Sequence, residues 1–239
     1  MVSAETARSV VGIIGNVISI GLFLSPVPTF CRIIKNKAVE DYSPLPYIAT
    51  VLNCMLWIFY GLPIVHEHSV LVVTTNSVGL VLELIYLAIF YTYAAGQKNG
   101  RKKVAIGLAI EVVFVAVVVV ITMLTLHSHE RRSMMVGIIA DFFNILMYIS
   151  PLTVMKQVIT TKSVKYMPFY LSLTNHLNGC IWTCYALIKF DIYVLVCNII
   201  GAFAGAAQLI LYGVYYRKTP KDDDINHHAR KNRISELQL

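Results

Sequence analysis

Two asparagines, Asn76 and Asn198, and two tryptophans, Trp57 and Trp182, are the side chains best suited to holding a small polar solute. All four lie inside long apolar runs, where an amide is costly unless it finds a partner. An amide pair offers donors and acceptors without net charge, which suits a neutral polyhydroxylated solute. Trp57 and Trp182 are the only tryptophans of the chain. Both sit well past the starts of their apolar runs, so they are poorly placed as interface anchors. Their flat faces would cover a ring whose edge meets the amides.

A second group could supply movement. Pro26 and Pro151 fall within apolar runs, and Pro46 and Pro168 fall near the starts of two others. An interior proline removes a backbone hydrogen bond and kinks its helix. Prolines are common in membrane helices, but two repeat-related pairs on one side argue for hinges or a gate. At the opposite side, Asp191 could meet Tyr60 or Tyr185 as a latch. Glu83, Glu111 and Asp141 also lie in apolar runs, where an ionisable group could couple transport to protons or simply hold a neighbouring helix. No Ser/His/Asp arrangement, paired catalytic carboxylates, metal cluster or phosphate loop is present, so the chain is not expected to be an enzyme.

The elements that carry these residues are duplicated. Residues 12–39 align without a gap on 137–164 at a constant offset of 125, with identities that include Ser25/Ser150, Pro26/Pro151 and Lys37/Lys162. Trp57/Trp182 and Tyr60/Tyr185 continue that register, and Asn76/Asn198 and Gly79/Gly201 match after a contraction of three residues. A chain of 239 residues that is 57% hydrophobic and 14% charged is not a water-soluble globule. Its apolar runs lie near 9–31, 44–65, 70–93, 104–126, 134–155, 168–188 and 192–216. About 20 residues at ~1.5 Å each cross a ~30 Å hydrocarbon core. The fold expected is an all-α membrane protein of seven transmembrane helices. The first run is too long for a signal peptide and is read as a retained helix.

The net charge of +7 follows topology and gives no cause to expect nucleic acid. Connections after the first, third and fifth runs hold Arg32, Lys35, Lys37, Lys98, Arg101, Lys102, Lys103, Lys156, Lys162 and Lys165, against Arg8, Arg131, Arg132 and Lys189 opposite. This places the N-terminus outside or in a lumen and the C-terminus in the cytosol. The matched lysines share a side, so the repeats are parallel and need one extra crossing between them. The arrangement is 3+1+3, two parallel three-helix bundles about an axis along the membrane normal. The expected divisions are 1–95 for the first repeat, 96–130 for the linker helix with its loops, 131–216 for the second repeat and 217–239 for a disordered tail. Cys31, Cys54, Cys180, Cys184 and Cys197 are read as small packing residues and not as metal ligands.

The layout of Ser25-Pro26, Lys37, Pro46, Asn53-Cys54, Trp57, Tyr60-Gly61 and Asn76 resembles the first half of a plant SWEET sugar transporter. Ser150-Pro151, Thr161-Lys162-Ser163-Val164, Met167-Pro168-Phe169, Trp182, Tyr185 and Asn198 resemble the second half. The resemblance implies bidirectional, facilitated sugar diffusion by alternating access in a lipid bilayer, with no cofactor. It implies that Asn76, Asn198, Trp57 and Trp182 line the sugar pocket, that the four prolines form a tetrad, and that Tyr60 and Asp191 form the outer gate. A tryptophan at position 57 should disfavour disaccharides, leaving monosaccharides such as glucose. A homo-oligomer such as a trimer, in a vacuolar or plasma membrane, is further implied.

The nearest alternative is a proton-coupled PQ-loop-type amino-acid exporter, but Pro26-Val27 and Pro168-Phe169 stand where that group has Pro-Gln. A seven-helix receptor would not be expected to show the duplication, and the last run lacks the lysine that a retinal-binding protein needs.

Overall fold

The computed structural model describes residues 3–219, and all regular structure in that range is helical. Nine α-helices make up the seven crossings, because two crossings are broken. The first consists of α1 (Ala4–Phe23) and α2 (Val27–Asn36), and the fifth of α6 (His129–Met147) and α7 (Ile149–Thr161). Between them lie α3 (Leu45–Gly61), α4 (Val70–Tyr93) and α5 (Gly100–Thr125), and the chain closes with α8 (Phe169–Ile188) and α9 (Ile192–Tyr215). Five crossings are long and apolar enough to span a membrane on their own composition. The other two are α3, with 17 residues, and α8, whose 20 residues are diluted by Asn175, His176 and Asn178. These are also the helices that carry the tryptophans.

The breaks follow from proline. Pro26 caps α2, and Pro28 occupies its first turn, so two backbone donors are missing within three residues. The fifth crossing breaks at Tyr148, upstream of Pro151, because Pro151 cannot donate to the carbonyl of Met147. Pro46 lies in the first turn of α3, and Pro168 caps α8, positions that proline tolerates without kinking. The broken crossings end alike: Lys37 and Lys162 are both left-handed C-caps, with φ of 50° and 54°.

Helix contacts define a closed ring. α4 packs on both α1 and α3, and α9 packs on both α6 and α8; the two trios then meet through α1 with α8 and α3 with α6. α5 lies outside the ring against α3, α4 and α6. Its outer stripe of Ile106, Ile110, Val113, Val117, Val120 and Leu124 is exposed, as a lipid-facing helix requires. α2 packs on α4 and, through Phe30 against Tyr47, on α3, and α7 packs on α6 and α9, so neither short helix packs against the opposite trio. The two trios are therefore apart at the end that bears Pro26, Pro46, Pro151 and Pro168.

Tyr216–Lys218 form a single 3₁₀ turn after α9. The tail expected to be disordered lies, from residue 220 on, outside the described residues.

Candidate functional site

A cavity of about 200 Å³ occupies the centre of the ring. Every ring helix contributes: Ser19, Leu22 and Phe23 from α1, Asn53 and Trp57 from α3, Val72, Thr75 and Asn76 from α4. From the second trio come Asn144 of α6, Asn178 and Trp182 of α8, and Val194, Cys197 and Asn198 of α9. The four side chains singled out in the sequence are thus brought together.

The cavity is lined in repeat-related pairs. At the offset of 125, Ser19 matches Asn144, Asn53 matches Asn178 and Trp57 matches Trp182. At the offset of 122, Val72 matches Val194, Thr75 matches Cys197 and Asn76 matches Asn198. Ser19, Asn53, Asn144 and Asn178 were not singled out from the sequence, although the repeat register pointed to them. Only Leu22 and Phe23 line the wall without their mates, Met147 and Tyr148.

Hydrogen bonds fix the polar walls. Asn76 Nδ2 donates to the Val72 carbonyl at 2.9 Å, and Asn198 Nδ2 donates to the Val194 carbonyl at 2.7 Å. Each amide is pinned to its own helix, leaving its carbonyl oxygen for a solute; the second N–H of Asn76 is also free among the described residues, whereas Asn198 Nδ2 donates again to Cys197 Sγ at 3.4 Å. Trp182 Nε1 donates to Ser19 Oγ at 3.0 Å, and Ser19 Oγ donates to Asn178 Oδ1 at 2.7 Å. This relay joins the two trios. On the opposite wall, Asn53 Oδ1 is buried without a protein partner among the described residues.

At the other end of the ring from the prolines, the trios are bound together. Tyr60 OH donates to Asp191 Oδ1 at 2.7 Å, a contact between α3 and the N-cap of α9. Asp191 Oδ1 also accepts from the Val194 backbone N–H at 3.2 Å. Tyr185 does not join this carboxylate. Its hydroxyl instead points to the His68 carbonyl at 3.5 Å, in the loop before α4, and Arg8 covers its ring with Cζ 4.2 Å from the centroid. Each tyrosine therefore reaches across to the start of the other trio's last helix.

His66, in the loop after α3, completes the Asp191 cluster. Its Nε2 lies 3.3 Å from Asp191 Oδ2, and its Nδ1 lies 3.0 Å from Ser133 Oγ. The imidazole stacks on Tyr60 with centroids 4.8 Å apart. Burial holds this imidazole below its ordinary pKa; Arg8 and Lys189 add to the effect, while Asp191 and Glu67 oppose it. His66 was missed because it lies in the loop where the offset changes from 125 to 122, beyond the reach of either register.

None of the three membrane carboxylates lines the cavity. Glu83 is buried on α4, near Tyr47, Cys54 and Tyr86, and Glu111 is buried on α5. Asp141, on α6, lies against Cys197, so it stands one side chain behind the wall. No His, Cys, Asp and Glu group suited to a metal ion occurs among the described residues.

Comparison with known proteins agrees with this architecture. A family model described as "Sugar efflux transporter for intercellular exchange" matches the chain twice, at residues 9–98 and 134–220. The chain is 55% identical over 226 residues to the bidirectional sugar transporter SWEET7b of Oryza sativa subsp. indica, covering 95% of this chain and 84% of the relative. It is 56% identical over 224 residues to the bidirectional sugar transporter SWEET4 of Arabidopsis thaliana, covering 94% and 88%. A solved structure of a eukaryotic SWEET transporter superimposes with a TM-score of 0.85 at 36% identity, over 90% of this chain and 99% of that one. With the duplicated ring and its paired cavity walls, these matches establish that the chain belongs to the SWEET family of sugar transporters and is not an enzyme.

Proposed function

We propose that this protein is a bidirectional, facilitative uniporter of monosaccharides such as glucose, working by alternating access. The observation that carries the reading is the central cavity, which Asn76 and its mate Asn198 line together with Trp57 and its mate Trp182. Its volume of about 200 Å³ falls below the ~300–1,000 Å³ typical of pockets for drug-sized ligands, which favours one sugar ring over two. Indole faces take the apolar side of the ring, and the amides take the hydroxyls.

Tyr60, Asp191 and Tyr185 act as the outer gate, closed in this conformation. Pro26, Pro46, Pro151 and Pro168 act as hinges of the inner gate, and the separation of α2 and α7 from the opposite trio leaves that side open. The lysine-rich connections beside the prolines support a cytosolic location for that end. Residues 1–95 and 131–216 move against each other, with 96–130 as the link between them. The working form is a homo-oligomer such as a trimer, in a vacuolar or plasma membrane.

The test is a panel of radiolabelled sugars taken up by proteoliposomes, with and without a pH gradient. Glucose should equilibrate without accumulating, and Asn76→Ala or Asn198→Ala should abolish uptake at equal protein incorporation. Normal uptake by both variants would remove the amides from the site. Uphill uptake driven by pH and lost in Asp141→Asn would replace the uniport reading with symport.

A further inference from the structure

Around the central cavity the two trios match closely, but they diverge on the side toward the prolines. In the first trio, Phe30 and Tyr86 stack with centroids 4.5 Å apart, and Tyr47 meets Phe30 edge-on at 5.0 Å. The repeat mates of these three aromatics are Met155, Ser172 and Gln208. Cys54, Leu82 and Glu83 are likewise matched by Gly179, Ala204 and Gly205. The two glycines bring α8 and α9 into backbone contact. A Cβ on Gly205 would lie 2.7 Å from His176 Cα, and one on Gly179 would lie 2.5 Å from Ala202 N.

Where the first trio is filled with rings, the second therefore holds a polar cavity of about 110 Å³. Tyr148, Asn175 and Gln208 line it, and it shares Asn178 and Asn198 with the central cavity. Gln208 is only 8% exposed, yet its amide has no hydrogen-bond partner among the described residues. The residue is buried but its amide atoms are not sealed off from the cavity, so they are available to a polar ligand or water that enters it.

We propose that this cavity is a second sugar subsite, which takes the hydroxyls of a sugar on its way between the central cavity and the proline end. The inference rests on the sugar-transport reading above. With about half the central volume, the subsite accommodates the edge of one ring while the rest lies against Asn178 and Asn198. Gln208 and Asn175 then supply hydroxyl partners as Asn76 is left behind, so the solute does not shed all its hydrogen bonds at once. The aromatic packing of Phe30, Tyr47 and Tyr86 closes the equivalent route in the first trio, so the path is one-sided.

Ala204 lines the cavity without taking part in the hydrogen bonding, which makes it the reporter position. Ala204→Cys is introduced with Cys31, Cys180 and Cys184 changed to Ser, and its alkylation by a small maleimide is timed with and without glucose. Glucose should slow labelling about fivefold, the protection should persist with Asn76→Ala, and it should vanish with Gln208→Leu. Protection that disappears in Asn76→Ala, or survives Gln208→Leu, would overturn the subsite, as would no protection at all. Should the Gln208→Leu protein fail to incorporate, Asn175→Ala provides the same comparison. Labelled-glucose uptake by the wild type in the same vesicles decides the transport reading separately.

Discussion

Trp182 Nε1 donates to Ser19 Oγ at 3.0 Å, and no equivalent bond links their repeat mates Trp57 and Asn144. Ser19 passes the contact on to Asn178 Oδ1 at 2.7 Å, so one hydroxyl orients an indole and an amide on the opposite trio. Loss of that hydroxyl leaves two buried groups unpaired, at a cost of about 1–3 kcal/mol. Ser19→Ala and Trp182→Phe should therefore destabilise the purified protein non-additively, with a coupling of roughly 1 kcal/mol in a thermal-unfolding double-mutant cycle. Additive effects would mean that the bond contributes nothing to the closed outer end.

The cluster around Asp191 predicts a pH-dependent rate. In the closed conformation His66 is packed between Tyr60 and Ser133, with Asp191, Arg8, Lys189 and Glu67 as its charged neighbours, and its pKa is held below the ordinary 6.5. Opening that end exposes the imidazole and returns its pKa toward the ordinary value. The open form then binds the proton more tightly, so acid on that side favours opening, with the effect appearing as pH falls below 6.5. Exchange of labelled glucose at equal concentrations should change with outer pH in the wild type and be flat in His66→Gln. No net accumulation should accompany it, because the proton shifts a conformational equilibrium and is not carried with the sugar. A wild-type rate that is flat between pH 5 and 7 would rule the effect out.

Substrate size should depend on Trp57. Its indole lies on the cavity wall, 5% exposed, with its ring meeting Tyr60 edge-on at 5.3 Å. A second sugar ring would have to displace it, and truncating a buried aromatic commonly costs ~3–5 kcal/mol. Glucose should move and sucrose should move poorly. Trp57→Gly should weaken hexose transport while raising the sucrose share. Competitive uptake at matched expression measures both, and a wild-type preference for sucrose would defeat the size argument.

The prolines should matter for motion more than for packing. At Pro26 and Pro151 alanine restores a backbone donor and favours a continuous helix, so thermal stability should hold or rise. At Pro46 and Pro168, in a first turn and at a cap, the stability change should be smaller. Transport should fall at all four positions if local bends carry the rocking of one trio against the other. Four alanine variants with normal uptake would place the hinge elsewhere.

Much of this was legible in the sequence because duplication turns one weak signal into two. Asn76 would be an ordinary interhelical amide without Asn198, and Pro26 an ordinary kink without Pro151. Ser19 and Asn144 differ, so the repeat gives no matched signal there, whereas Asn53 and Asn178 match but read as ordinary interhelical amides until the cavity shows them on its wall. The asymmetry at Gln208 was invisible for a related reason. Replacing Tyr86 by glutamine in the second repeat reads as divergence until the packing of Phe30 and Tyr47 shows which volume it vacates. Tyr185 and Asp191 lie close in sequence, but Asp191 caps α9 and faces the other trio, so Tyr60 meets it instead.

The paired walls of the cavity also bear on stereochemistry. A hexose turned by half a revolution about the ring axis meets indole for indole and amide for amide, so two poses of nearly equal energy are available. An epimer that mismatches one pose mismatches the other in nearly the same way, so the duplication adds orientations without relaxing the choice among epimers. Such a binding chamber selects by girth and accepts a sugar facing either way, and Ser19 with Asn144 and Thr75 with Cys197, where the halves differ, are the pairs that would favour one orientation over the other.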